Sequence, residues 1–131
     1  MITEVVAAII FFKNKVLVTQ RMFNQKIEFS YKFEFPGGKV ENGENKIIAL
    51  KRELREELNL ELKNVKHFDT YKHKYPENEI MLHFYLSNVK NFKPSLRVHK
   101  SYKLVRIREL SELDWLEADY RIIKRLEKKY L

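Results

Sequence analysis

Glu53, Glu56 and Glu57 stand three and four residues apart, the spacing at which an α-helix stacks side chains on one face at about 100° per residue. Three carboxylates crowded in this way repel one another and raise each other's pKa unless a cation lies among them. Clustered hard oxygen donors suit Mg²⁺, with Mn²⁺ as a substitute. Arg52 and Arg55 flank the cluster, and a guanidinium can hold carboxylates through forked hydrogen bonds. A solvated helix laced with Lys/Glu pairs has the same local pattern, so the context decides between the two. Gly37 and Gly38, a Gly-Gly turn after a short apolar strand, let a backbone approach a metal or phosphate closely. Glu44 falls near the start of the helix, and Ile47, Leu50, Leu54 and Leu58 supply an apolar stripe for a core.

The elements that position this cluster follow from periodicity. Residues 4–12, rich in Val, Ile and Phe, predict a mostly buried strand. Residues 13–15 form a polar turn, and 16–21 a partner strand with Arg21 at its end. Residues 24–32 have no periodicity and read as a loop, and 33–36 form a short strand entering the glycines. The acidic helix is expected over 44–58. A strand over 62–74, with Val65 and Phe68 as anchors, and a turn at Tyr75 and Pro76 lead into a strand over 80–89. There Ile80, Leu82, Phe84 and Leu86 alternate with Met81, His83 and Tyr85. A basic loop over 90–100, a strand over 102–107 and a short turn or helix over 110–115 follow. An amphipathic helix over 118–131 carries Ile122, Ile123, Leu126 and Tyr130, with Asp119 near its N-terminus. Strands around one central helix, with a second helix at the end, predict a mixed sheet between helices in one domain over 1–131.

Composition narrows the chemistry. The 131 residues suffice for one core, and 44% hydrophobic content fits a soluble globular protein. Lys+Arg 26 against Asp+Glu 18 gives a net charge of +8, which favours anionic partners. With Cys 0, disulfides, thiolate zinc sites and cysteine nucleophiles are excluded. The longest apolar run, 5–12, is too short to span a bilayer, and no basic residue precedes it. A cytoplasmic protein with no membrane partner is expected.

Gly38, five residues, Glu44, seven residues, Arg52-Glu53-Leu54, one residue, Glu56-Glu57, one residue and Asn59-Leu60 together resemble the Nudix box, G-x5-E-x7-R-E-U-x-E-E-x-G-U with U aliphatic, over 38–60. Asn59 stands where the family usually has Gly, and Asn is the next best residue for a left-handed helix end. The segments entering the box, around Tyr75 and Pro76, and from Leu116 to Asp119 extend the likeness to MutT-type and CTP pyrophosphohydrolase enzymes.

The resemblance implies an α/β/α sandwich with the box as loop-helix-loop. It also implies Mg²⁺-dependent hydrolysis of a nucleoside triphosphate to monophosphate and pyrophosphate, with 8-oxo-dGTP or cytidine nucleotides favoured, in nucleotide-pool sanitation. On it, Glu53, Glu56 and Glu57 bind metal with the Gly37 carbonyl, Arg52 orients the carboxylates, and Glu44 braces the loop or also takes part in binding metal. Arg21 and Lys39 meet ribose or phosphates, and Phe35 and Tyr75 line or stack on the base, or alternatively belong to the core. Asp119 reads the base, or alternatively caps the last helix; ionised, it would only accept hydrogen bonds and favour a base presenting N–H groups.

One departure concerns the general base. Family members often carry a Glu in the loop after the central hairpin, whereas no Asp or Glu occurs here from Ile80 to Arg108, and the matching stretch contains His99. The base is therefore Glu53, Glu56 or His99. Other readings are a Nudix hydrolase of dinucleoside polyphosphates, nucleotide sugars or RNA caps, and a non-catalytic nucleotide- or nucleic-acid-binding regulator. Nucleic acid is not the expected partner, and monomer and homodimer are both open.

Overall fold

The computed structural model describes residues 2–131. Strand β1 (Ile2–Phe12) runs through the middle of the molecule. Its even residues Val6, Ala8 and Ile10 face one apolar cluster and its odd residues Ala7 and Ile9 face another. A strand buried on both faces reads as an unbroken apolar run, which is why its sequence shows no alternation. β1 turns into β2 (Lys15–Gln20) with Phe12 opposite Lys15. Lys13 and Asn14 between them both take positive φ, 51° and 64°, as a two-residue hairpin turn demands.

The remaining strands are β3 (Phe33–Glu34), β4 (Gly37–Lys39), β5 (Leu62–Lys74), β6 (Glu79–Val89) and β7 (Ser101–Val105). The sheet runs β3-β2-β1-β6-β5, with β4 paired to β1 and β7 to β2. β5 and β6 form the expected antiparallel hairpin, and β6 lies parallel to β1. The result is the mixed sheet between helices that the pattern predicts: α1 (Lys46–Leu58) covers one face and α2 (Tyr120–Tyr130) the other. Among the described residues no helix is long and apolar enough to cross a membrane.

Local differences from expectation have local causes. Asn45, not Glu44, starts α1, its side chain accepting from the Ile47 and Ile48 N–H groups at 2.9 and 3.2 Å. Asn59 ends α1 in the left-handed region (φ 55°), as its position predicts. The buried stripe of α1 is Ala49, Leu50, Leu54 and Leu58, while Ile47 on the first turn is exposed. Strand β7 stops at Val105 rather than 107, where Glu109 reaches back to the Arg106 N–H at 2.7 Å and residues Ile107–Glu112 wind into a 3₁₀ turn. Tyr130 is exposed rather than core, leaning on Phe11 with ring centres 5.3 Å apart.

The glycines differ most. Gly37 and Gly38 do not form a turn; they are strand residues of β4, paired with Ala7 and Val6. Neither has positive φ, and among the glycines only Gly43 does. Their requirement is for space.

Candidate active site

A Cβ placed on Gly38 would lie 2.3 to 2.7 Å from the carboxylate atoms of Glu53. A Cβ on Gly37 would lie 1.9 Å from the Val6 carbonyl oxygen. The bare backbone therefore lets β4 seat against β1 on one side and lets the acidic face of α1 close onto it on the other.

Arg52 organises that face. Its Nε and Nη2 donate to the two Glu44 oxygens at 2.8 and 2.9 Å. Its Nη1 donates to Glu53 at 3.0 Å and Glu56 at 2.9 Å, and Nη2 also reaches the Lys39 carbonyl oxygen at 3.1 Å. The guanidinium holds the Glu44 carboxyl at about 2, below the usual range, and Glu44 in turn accepts from the Glu41 N–H at 3.0 Å, closing the loop before α1. Glu57 lies outside this grip. Burial first, then the charges of Glu53, Glu34 and Glu56, push its carboxyl up to about 8.

A cavity of about 310 Å³ opens beside Glu57, walled by Arg21, Glu34, Phe35, Gly37, Gly38, Lys39, Tyr75 and Asp119. The structure thus gathers Arg21, Phe35, Gly37, Lys39, Tyr75 and Asp119 from distant parts of the chain. Glu44, Arg52, Glu53 and Glu56 stand behind Gly38 rather than in the cavity wall. The Phe35 ring packs in the core, stacked on Trp115 at 4.8 Å and edge-on to Phe84 at 6.1 Å, so only part of it borders the cavity. Tyr75 is half-buried and edge-on to Phe29 of the 24–32 loop at 5.3 Å.

Asp119 makes no side-chain cap to α2; its Oδ2 accepts from the Phe35 N–H at 3.3 Å instead. Burial, reinforced by the Glu34 charge, holds its carboxyl well above the usual carboxylate range. That shift favours the protonated side chain, with one donor and one acceptor, over the ionised, accept-only one expected from residue type. An acid whose pKa is raised by folding keeps full stability only below its unfolded value, near 3.9, and loses it as pH rises through the folded value. Asp119→Asn is therefore expected to raise the unfolding temperature at pH 7, with the gain shrinking toward zero as pH falls to about 4. Scanning calorimetry across that range checks it; a gain independent of pH would show that Asp119 is ionised in the folded protein.

Two polar residues of the site lie outside the motif. Glu34, a lone acid between Phe33 and Phe35, pairs with Arg21 at 3.1 Å and with His99 Nε2 at 3.0 Å. Its only trace in the sequence is a charge inside an apolar strand. His99 is buried, and its Nε2 lies 4.0 Å from Glu57.

The residues can be tested against a divalent ion. Among the described residues no three of His, Asp and Glu are arranged as a ready-made cage. Arg52 Nη1 instead takes the edge between Glu53 and Glu56. The donor set still fits: Glu53, Glu56 and Glu57 supply hard oxygens on one helix face, and a protonated, half-buried Glu57 among like charges is the electrostatic mark of a site that gains from a cation.

Comparison with known proteins agrees with this geometry. The NUDIX domain pattern matches residues 1–126. A protein of Buchnera aphidicola named 8-oxo-dGTP diphosphatase is 34% identical over 116 residues, 88% of this chain and 90% of that protein. A CTP pyrophosphohydrolase of Escherichia coli is 37% identical over 102 residues, 78% of this chain and 73% of that one. The solution structure of the E. coli ORF135 protein superposes with a TM-score of 0.79 at 31% identity, covering 94% of this chain and 86% of that chain. With pattern, relatives and fold in agreement over nearly its whole length, the chain belongs to the NUDIX domain family.

Proposed function

We propose that the chain is a Mg²⁺-dependent nucleoside triphosphate pyrophosphohydrolase, with Mn²⁺ as a substitute, which converts a triphosphate to monophosphate and pyrophosphate in the cytoplasmic nucleotide pool. The reading takes residues 1–131 as one catalytic domain and a small nucleotide, not nucleic acid, as substrate. The observation that carries it is the junction at Glu57 and Gly38, where a nucleotide-sized cavity with a buried carboxyl at its far wall meets a helix face of carboxylates. The names of the relatives, an 8-oxo-dGTP diphosphatase and a CTP pyrophosphohydrolase, support the same reaction class.

Hydrolysis requires water to attack a phosphorus crowded with negative oxygens. Members of the family generally need a divalent metal, which when bound neutralises that charge and lowers the pKa of water. Glu53, Glu56, Glu57 and the Gly37 carbonyl would hold it. Arg52 fixes Glu53 and Glu56 by direct hydrogen bonds, so their orientation is set before substrate arrives. Glu53, half-buried and set against Gly38, is the better placed of the two to accept the proton of the attacking water, since Glu56 is exposed. Arg21 and Lys39 sit in the cavity wall where they can meet ribose and phosphate.

At the far end Asp119, whose burial favours the protonated form, then offers a donor and an acceptor side by side. That pair complements cytosine, which presents an amino donor beside a ring-nitrogen acceptor. It also complements 8-oxoguanine, which presents N7–H beside O6. The test is pyrophosphate and monophosphate release, with Mg²⁺, from 8-oxo-dGTP, dGTP, dCTP, CTP and 5-methyl-dCTP. Clear preference for an oxidised guanine or a cytosine nucleotide is the expected result. No turnover of any triphosphate would sink the proposal and turn attention to dinucleoside polyphosphates, nucleotide sugars and RNA caps.

A further inference from the structure

His99 occupies the loop where the sequence carries no acid, and its surroundings assign it a role other than proton transfer. The loop is bolted down on both sides of it. The Ser95 N–H donates to the Leu58 carbonyl at 2.9 Å, and Arg97 Nη1 donates to the Arg55 and Glu56 carbonyls at 3.2 and 3.1 Å, at the end of α1. Immediately after it, the Lys100 N–H donates to the Gln20 carbonyl at 2.8 Å, at the end of β2. These bonds present a buried imidazole to the mouth of the site, where it lines a second opening with Arg21, Glu34 and Glu57.

The ring has one polar partner at hydrogen-bonding distance. Nε2 lies 3.0 Å from Glu34 Oε2, the geometry of an Nε2–H donating to a carboxylate oxygen. Nδ1 is buried with no partner. A buried polar atom left unpaired is a cost that folded proteins rarely carry without a reason. Glu34 Oε1 is taken by Arg21 Nη1 at 3.1 Å, so both carboxylate oxygens are engaged and neither is free to turn. Arg21 in turn has its guanidinium over the Phe29 ring at 5.6 Å.

We propose that His99 is a positioning residue: through Glu34 it fixes the Arg21 guanidinium in the cavity wall, where the sugar and phosphates of the substrate are met. The inference rests on the pyrophosphohydrolase reading for its substrate, but the Glu34 relay itself can be tested without one. An imidazole fixed to Glu34 through Nε2 has only Nδ1 left to accept a proton, and Nδ1 is buried away from solvent. The ring therefore steers a substrate-binding cation rather than taking a proton from water.

The relay predicts that His99→Gln, whose amide nitrogen can take the place of Nε2, preserves function, while His99→Ala does not. In the ligand-free protein, NMR of the Arg21 guanidinium should show hindered rotation in the parent and in His99→Gln, and free rotation in His99→Ala and Glu34→Gln. On the preferred triphosphate, His99→Ala should lower kcat/KM by about tenfold to a hundredfold, chiefly through KM, with His99→Gln within about threefold of the parent. The Glu34→Gln/His99→Ala double variant should be no worse than either single one, because both cut the same relay. Loss of kcat at constant KM, equal in His99→Ala and His99→Gln, would overturn the proposal in favour of proton transfer at the ring. Unchanged Arg21 rotation in His99→Ala would overturn it as well. If the parent turns over no triphosphate, the functional reading fails, and the Arg21 rotation still decides the relay.

Discussion

Replacing Glu53 by Gln is expected to lower kcat by on the order of 10³-fold, the rate equivalent of about 4 kcal/mol, with little change in the unfolding temperature. The side chain serves three contacts at once. It accepts from Arg52 at 3.0 Å, packs against Gly38, and is the first of the charges that push Glu57 up to about 8. Gln keeps the shape and one acceptor but loses the charge that a cation and a proton would both require. Fold stability should hold, because removing one of several mutually repelling carboxylates offsets the weakened Arg52 contact. Metal-dependent pyrophosphate release beside thermal unfolding of the same preparation measures both halves. Activity above about a tenth of the parent's would remove Glu53 from the chemistry.

Adjacent glycines should respond to the same substitution in opposite ways. Gly37→Ala would drive a Cβ to 1.9 Å from the Val6 carbonyl oxygen and 2.7 Å from the Ala7 Cα, both backbone atoms of the central strand. Neither can yield without opening the β4–β1 pairing, so a loss above about 3 kcal/mol is expected, read as a fall of about 10 °C or more in unfolding temperature. The nearest atoms that Gly38→Ala meets are instead the end of the Glu53 side chain, at 2.3 to 2.7 Å. That carboxylate can swing away, so the protein should fold nearly as well as the parent. Its activity should nevertheless fall about 100-fold, because a displacement of about 1 Å in a reacting group is enough for that. Calorimetry and turnover on the pair decide it. Equal destabilisation by both would mean that Gly38, too, is a matter of backbone packing.

These two cases divide what was legible in the chain from what was not. The helix of carboxylates, its apolar stripe, the hairpin over β5 and β6 and the left-handed Asn59 are all set by neighbours within a few residues. Local spacing settles them, because helix and strand geometry repeat with fixed periods. The family, the mixed sheet between helices and the acidic face suited to a divalent ion were therefore readable from residue types and intervals alone. The glycines were located but misread. A turn and a close approach both call for Gly, and only the β1–β4 pairing shows that Gly37 and Gly38 are needed for room rather than for a left-handed backbone.

The rest depended on residues far apart in the chain meeting in space. Arg21, Phe35, Tyr75 and Asp119 share one cavity because β2, β3, the β5–β6 turn and α2 converge there, and no local period encodes that convergence. Asp119 is a charged residue by type and is pushed toward its neutral form in place, since desolvation belongs to the surroundings and not to the side chain. Glu34 and His99 carried no motif at all. Their meaning arises at 3.0 Å, where strand β3 and the 90–100 loop bring a carboxylate and an imidazole together. The sequence by itself determined which chemistry the chain can perform. The tertiary structure decided which groups are buried, paired and held still enough to perform it.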